Sequence, residues 1–262
     1  MNIPPFKTLL YTSEDHICTI TMNRPEKRNA LSAQLVNELI VALETAAADD
    51  QTRVVVLCGA GGAFCAGADL SLMSGGGDED PDIPYRGGFP ELNVAMRNIA
   101  MPIIAKVERY AMAGALALIC NSTFVVAEED ATFCAPEIDR GLFPMMVLAS
   151  LFRTVNKRDG IDLVLSGRKI QAKEAVRMGL INRAVPRDKL DSATTTLAET
   201  LANKPPAAIR LGLKAYHHQE TLDFEEALPF LQEQLMGVLS TEDAQEGIMA
   251  FLQKRQPEWT GR

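Results

Sequence analysis

The stretch VVVLCGAGGAFCAGADL, Val54 to Leu70, decides the fold. Val54 to Cys58 is apolar without alternation, the mark of a strand covered on both faces. A Gly/Ala-rich turn follows, in which backbone N–H groups face outward without side chains in the way. Asp69 to Met73 is expected to open a helix, which would add a positive dipole end. Such a turn suits a developing oxyanion or a phosphate. It is not a P-loop, because no Lys-Ser/Thr follows, and it is not a dinucleotide fingerprint. Taken alone, it reads first as a tight strand-to-helix turn.

The pattern repeats downstream. Ile103 to Val107 is a second buried strand, followed by YAMAGALAL (Tyr110 to Leu118) and an apolar segment near Leu116 to Cys120. Phe124 to Ala127 is a third strand. Strands alternating with helical segments predict an α/β fold. Gly114 can present its N–H at the second turn, so one donor from each turn can meet a single carbonyl oxygen. Such donors are worth about 3 kcal/mol each in a transition state. A third stretch, FCAPEIDRG (Phe133 to Gly141), holds Glu137 beside the fixed backbone of Pro136. In apolar surroundings this carboxyl would be raised in pKa and suited to general acid/base work. Asp139 and Arg140 are its possible structural partners.

Working outward, Leu9–Thr12 and His16–Met22 flank a polar turn and read as a hairpin. Ser32 is placed to cap a helix from Ala33 to Ala48. Ser74 to Pro90 (SGGGDEDPDIPYRGGFP) has no periodicity and reads as a surface loop or a lid. After about residue 156 the chain reads as helical: Ala172–Met178 closed by Gly179, Asp188–Ala202, a helix opened by Pro205-Pro206, and Thr221–Leu239. Ser240 and Asp243 resemble a capping box opening a last helix, with Ala244, Ile248, Phe251 and Leu252 on one face.

The 262 residues are 47% apolar and 23% charged with net charge −8, an ordinary globular composition without the basic face of a nucleic-acid binder. An anionic ligand must be met by local donors. No apolar run of about 18 residues suggests a membrane span, and the N-terminus lacks a signal-peptide layout. Cys18, Cys58, Cys65, Cys120 and Cys134 form no C-x-x-C pair, which favours reduced thiols in a cytoplasmic protein and no metal site. No G-x-S-x-G elbow is present. His16, His217 and His218 are assigned surface or packing roles.

Six segments together resemble the crotonase (enoyl-CoA hydratase/isomerase) family. They are NRPEKRNALS (Asn23 to Ser32), AFCAGADLSLM (Ala63 to Met73), YAMAGALAL, FCAPEIDRGLFP, SGRKIQAKEAVRMGLINRAVP (Ser166 to Pro186) and TEDAQEGIMAFLQKR (Thr241 to Arg255). Their order and spacing carry the resemblance over nearly the whole chain. It implies a spiral of ββα units over residues 1–200 with a C-terminal helical trimerisation region over 201–262, and a homotrimer or dimer of trimers. It implies an oxyanion hole from the N–H groups of Ala66 and Gly114, with Glu137 as the proton carrier. It implies coenzyme A, bound as part of the acyl-CoA substrate and not as a permanent cofactor, along Glu26, Lys27, Arg28, Ala30, Ala68 and Asp69. Phe251 and Lys254 match positions that reach the coenzyme A of a neighbouring subunit.

This sequence departs from the family's hydratases at one decisive place. They pair two glutamates; Glu137 matches the second, while the first falls on Ala117. Glu108-Arg109 replaces a small pair, and Ala113 replaces a glycine. One carboxylate suffices to shuttle a proton in an enoyl-CoA isomerisation, the leading expectation. Enoyl-CoA hydration by Glu137 alone, or a catalytically inactive CoA-binding subunit, are the alternatives. Leu142, Phe143, Met145 and Met146 suggest an apolar acyl pocket or simply core packing.

Overall fold

The computed structural model describes residues 3–69 and 82–262. Within them the first buried run forms β3 (Val54–Gly59), which pairs in parallel with β2 (Ile17–Met22) and β4 (Ile103–Val107). β2 also closes the expected hairpin with β1 (Leu9–Glu14). Two further strands, β6 (Phe124–Glu128) and β9 (Arg183–Val185), extend the sheet in the order β1-β2-β3-β4-β6-β9. Every pair but β1–β2 is parallel.

The lack of alternation in β3 has its reason in packing. Val55 and Leu57 enter the main core with α1 (Ala33–Ala47), while Val54 and Val56 pack with Leu190, Leu197 and Ala198 of α7 (Leu190–Ala202) on the opposite face. α1 begins where predicted, with the Ser32 hydroxyl accepting the Leu35 N–H at 3.1 Å.

A smaller sheet carries the chemistry-bearing turns. β5 (Tyr110–Met112) runs parallel to β7 (Thr132–Cys134), and β8 (Ile170–Gln171) pairs antiparallel with β7. An isolated parallel bridge, Cys65 with Ala111, adds the first Gly/Ala turn to the edge of β5. α3 (Ala115–Cys120) leaves β5, and a 3-10 turn, Pro136–Arg140, leaves β7.

Three expectations change. Phe89 and Pro90 belong to a helix, α2 (Phe89–Asn98), and not to a loop; the Gly88 N–H donates to Glu91 Oε2 at 2.8 Å and starts it. Two helices, α4 (Met145–Thr154) and α5 (Lys157–Ser166), precede β8, so strands interrupt the expected helical half. α6 (Ala172–Arg177), α8 (Pro206–Gln219) and α9 (Phe224–Leu239) fall near their expected places. The last helix, α10 (Glu242–Gln253), is capped by Thr241, whose Oγ1 accepts the Ala244 N–H at 3.1 Å. Ser240 instead ends α9, and Asp243 is spent elsewhere. Its carboxylate accepts the N–H groups of Ala207, Thr260 and Gly261, tying the C-terminal tail to α8. The helix expected to follow Asp69, and the Ser74–Pro81 part of the expected loop, lie outside the described residues.

Candidate active site

Parallel strands in register deliver their C-terminal ends to one edge. Cys65 pairs with Ala111, and Ala111 pairs with Phe133. The three segments that follow, Ala66–Ala68, Ala113–Gly114 and Ala135–Glu137, therefore emerge side by side. The Ala113 N–H donates to the Cys134 carbonyl at 2.8 Å, which locks the second turn onto the third.

The donors at this edge differ from the expected pair. The Ala66 N–H already donates to the Arg28 carbonyl at 3.1 Å, so it is not open to a ligand. The Ala68 and Gly114 N–H groups donate no hydrogen bond within the described residues. Backbone alternation explains the difference. In an extended segment successive N–H groups face opposite sides. Ala66 N–H points toward the 28–31 segment, and Asp69 N–H points the same way, to the Leu31 carbonyl at 3.0 Å. Strict alternation would send Asp69 to the other side. Gly67, at φ +93°, reverses the parity between them and turns the Ala68 N–H away from Leu31.

Glycine is required at this reversal for a second reason. A Cβ on Gly67 would lie 2.6 Å from the Ala113 Cβ, 2.7 Å from the Met112 carbonyl oxygen and 3.4 Å from the Gly114 nitrogen. The last of these distances places Gly67, the residue before Ala68, next to Gly114. On its open side Gly114 faces Phe89 and Leu31, whose ring and methyl carbons lie 3.4 and 3.5 Å from where a Cβ would stand. Neither flanking residue was foreseen from sequence. Cys65 is a buried packing residue: its sulfur accepts the Gly67 N–H at 3.4 Å, and burial pushes its thiol up to about 12.

Glu137 sits in the 3-10 turn after β7. Its Oε2 is buried with no hydrogen-bond partner. Burial raises its carboxyl above the ordinary carboxylate range, opposed by its own backbone N–H and by Arg140. Glu108 is not among the charges that act on Glu137; its own bears on Lys106 and Cys58. Ala117 is fully buried in α3 with no ionisable group to contribute.

Profile comparison matches residues 12–262 to the enoyl-CoA hydratase/isomerase family. The chain belongs to that family. A probable enoyl-CoA hydratase of Rhizobium meliloti (strain 1021) is 35% identical over 98% of this chain and 99% of its own length. The 2,3-dehydroadipyl-CoA hydratase of Escherichia coli (strain K12) is 34% identical over 97% and 99%. The crystal structure of an enoyl-CoA hydratase from Mycobacterium tuberculosis H37Rv superposes with a TM-score of 0.88 at 32% identity, covering 97% of this chain and 99% of that one. The crotonase-like α/β fold with a C-terminal helical region is thus the observed one, and the protein is an acyl-CoA enzyme of the hydratase/isomerase family.

The remaining family-derived positions divide by location. Glu26 and Lys27 on the turn Pro25–Lys27, and Arg28 at its end, are exposed, and the Ala30 carbonyl accepts Arg24 Nη1 at 2.5 Å. Asp69 is paired with Arg24 at 3.0 Å, which sequence reading did not anticipate. Phe251, 83% exposed, and Lys254 lie at the solvent-facing end of α10, as do Ile248 and Leu252. Met145 and Met146 are exposed at the start of α4, while Phe143 packs against the core. No described helix is long and apolar enough to cross a membrane.

Proposed function

We propose that the chain binds an enoyl-CoA thioester with its carbonyl oxygen between the N–H groups of Ala68 and Gly114. Glu137 then takes the proton from the carbon next to the thioester, and returns it to the γ-carbon of the enolate so formed, an enoyl-CoA isomerisation. The observation that carries this reading is a buried, unpartnered Glu137 oxygen on a segment that the sheet register makes a neighbour of two unspent backbone donors. Donors aimed at the thioester oxygen stabilise charge that develops only as the α-proton leaves. The Glu137 carboxylate accepts that proton, and burial, which favours the protonated carboxyl, helps to hold it until it is returned at the γ-carbon. The exposed Lys27 and Arg28, with Lys254 from a neighbouring copy of a trimer, would meet the phosphates of coenzyme A.

Hydration of a 2-enoyl-CoA is the second reading, favoured by the names of the relatives at 34–35% identity. Water addition asks for proton removal from water and proton delivery to the α-carbon. With Ala117 in place of a second glutamate, Glu137 would perform both in turn.

A panel of 2-enoyl- and 3-enoyl-CoA thioesters tests these readings on the wild type and Glu137→Gln. Interconversion of double-bond isomers without 3-hydroxyacyl product supports isomerisation; 3-hydroxyacyl product supports hydration. Coenzyme A binding without turnover of any panel member would mark a binding subunit. Activity unchanged in Glu137→Gln would remove Glu137 from either mechanism.

A further inference from the structure

The Ala68 donor is held by a segment distant in sequence, residues 24–31. The Leu31 N–H donates to the Gly67 carbonyl at 2.8 Å and the Asp69 N–H to the Leu31 carbonyl at 3.0 Å, gripping the peptides on either side of Ala68. Two side chains close this grip. Arg24 donates through Nη1 to the Ala30 carbonyl at 2.5 Å and through Nη2 to Asp69 Oδ2 at 3.0 Å. Both partners are largely enclosed, with side chains 12% and 13% exposed. Asn29, fully buried, accepts the Arg24 N–H at 2.9 Å and donates to the carbonyls of Ala60 and Ala63 at 2.9 and 2.8 Å.

We propose that Arg24 and Asp69 are positioning residues for the Ala68 donor, bracing the hole against the 26–30 segment so that the two move as one body. This deepens the proposed function and rests on its oxyanion hole. It reassigns Asp69, implied by resemblance to contact coenzyme A: its Oδ2 is engaged by Arg24. The physical reason is the Gly67 reversal. A glycine at φ +93° does not hold its own conformation. The following residue must be fixed from outside, and a low-exposure ion pair is less screened than a surface one.

Three measurements on wild type, Asp69→Asn and Arg24→Gln decide it. Calorimetry gives the Kd of free coenzyme A. Difference infrared spectroscopy of bound butanoyl-CoA, carbon-13 labelled at the carbonyl, reads the pull of the hole without turnover. The third is kcat on the best enoyl-CoA. The brace predicts a Kd within about threefold of wild type, loss of most of the carbonyl red shift, and kcat down about tenfold or more, part of the ~10²–10³-fold that one hole donor is worth. Asp69→Glu, which keeps the charge, should restore part of the shift. A full red shift in both variants overturns the inference alone, as does a Kd weakened more than tenfold with the shift intact. If wild type itself shows no red shift, the oxyanion-hole reading falls and the brace falls with it. Should Asp69→Asn not fold, Arg24→Lys keeps the cation but loses the two-armed guanidinium and is read in the same way.

Discussion

Gly67→Ala should inactivate the enzyme more than it destabilises the fold. The added Cβ meets the Ala113 Cβ at 2.6 Å and the Met112 carbonyl at 2.7 Å, distances at which one side must yield. Holding an L-residue at φ +93° adds strain, about 1–2 kcal/mol even in the better-tolerated left-handed well. Forcing a methyl into packed surroundings costs about 1–3 kcal/mol more. The cheapest relief is for residue 67 to return to negative φ, which restores ordinary alternation and swings the Ala68 N–H away from Gly114. The chain then keeps most of its stability, and one hole donor is lost, about 10²–10³-fold in kcat. Turnover of the best enoyl-CoA and the thermal midpoint, taken on the same preparation, check this. The double variant Gly67→Ala/Ala113→Gly removes one of the two clashes, so it should recover some stability and little activity. A Gly67→Ala protein with kcat within twofold of wild type would refute the parity argument, because the donor would then not depend on the reversal.

Glu137→Gln should lower kcat by about 10²–10⁴-fold, the usual worth of a general acid/base, in isomerisation or hydration assays. Burial raises the Glu137 carboxyl, so the folded state favours its protonated form. Activity that needs the carboxylate should therefore rise with pH through a limb above the ordinary carboxylate range, visible in kcat/KM. Its contribution to stability has the opposite sign: it is fully present below the ordinary carboxylate pKa and is lost as pH rises through the raised one. Glu137→Gln should thus be at least as heat-stable as wild type at neutral pH, and a lower midpoint would contradict the assignment. Asp243→Ala strips three backbone donors of their acceptor, costing about 2–4 kcal/mol; limited proteolysis should then cut the tail after Gln253 first. Ala113→Gly relieves a φ of +52°, about 1–2 kcal/mol, against about 0.5–1 kcal/mol of added chain freedom, so the midpoint should hold or rise slightly.

Sequence by itself determined the elements and the chemistry on offer. The unalternating run Val54–Cys58 required cover on both faces, and the core and α7 supply it. Ser32 announced α1, and Gly114 and Glu137 stood out as small-residue turn and carboxylate. The family followed from six segments in order. α2 was not read, because Phe89 and Pro90 close a stretch whose glycines and acids break every periodicity, and its signals, Gly88 and Glu91, are short-range. α4 and the short strands β8 and β9 were not read either. Strands of two or three residues carry no pattern of their own and exist only through pairing with β7 and β6.

Tertiary structure alone decided which N–H faces the site. Ala66 and Ala68 are the same residue type, two positions apart, and a period of two gives them the same side. One dihedral at Gly67 separates them, and its sign depends on the contacts of Arg28 and Leu31, which come from the first thirty-one residues. The burial of Glu137 and the pairing of Arg24 with Asp69 are likewise set by segments far apart in the chain. Local sequence fixes what a residue can do, whereas hydrogen-bond direction and solvent exposure belong to the packed whole.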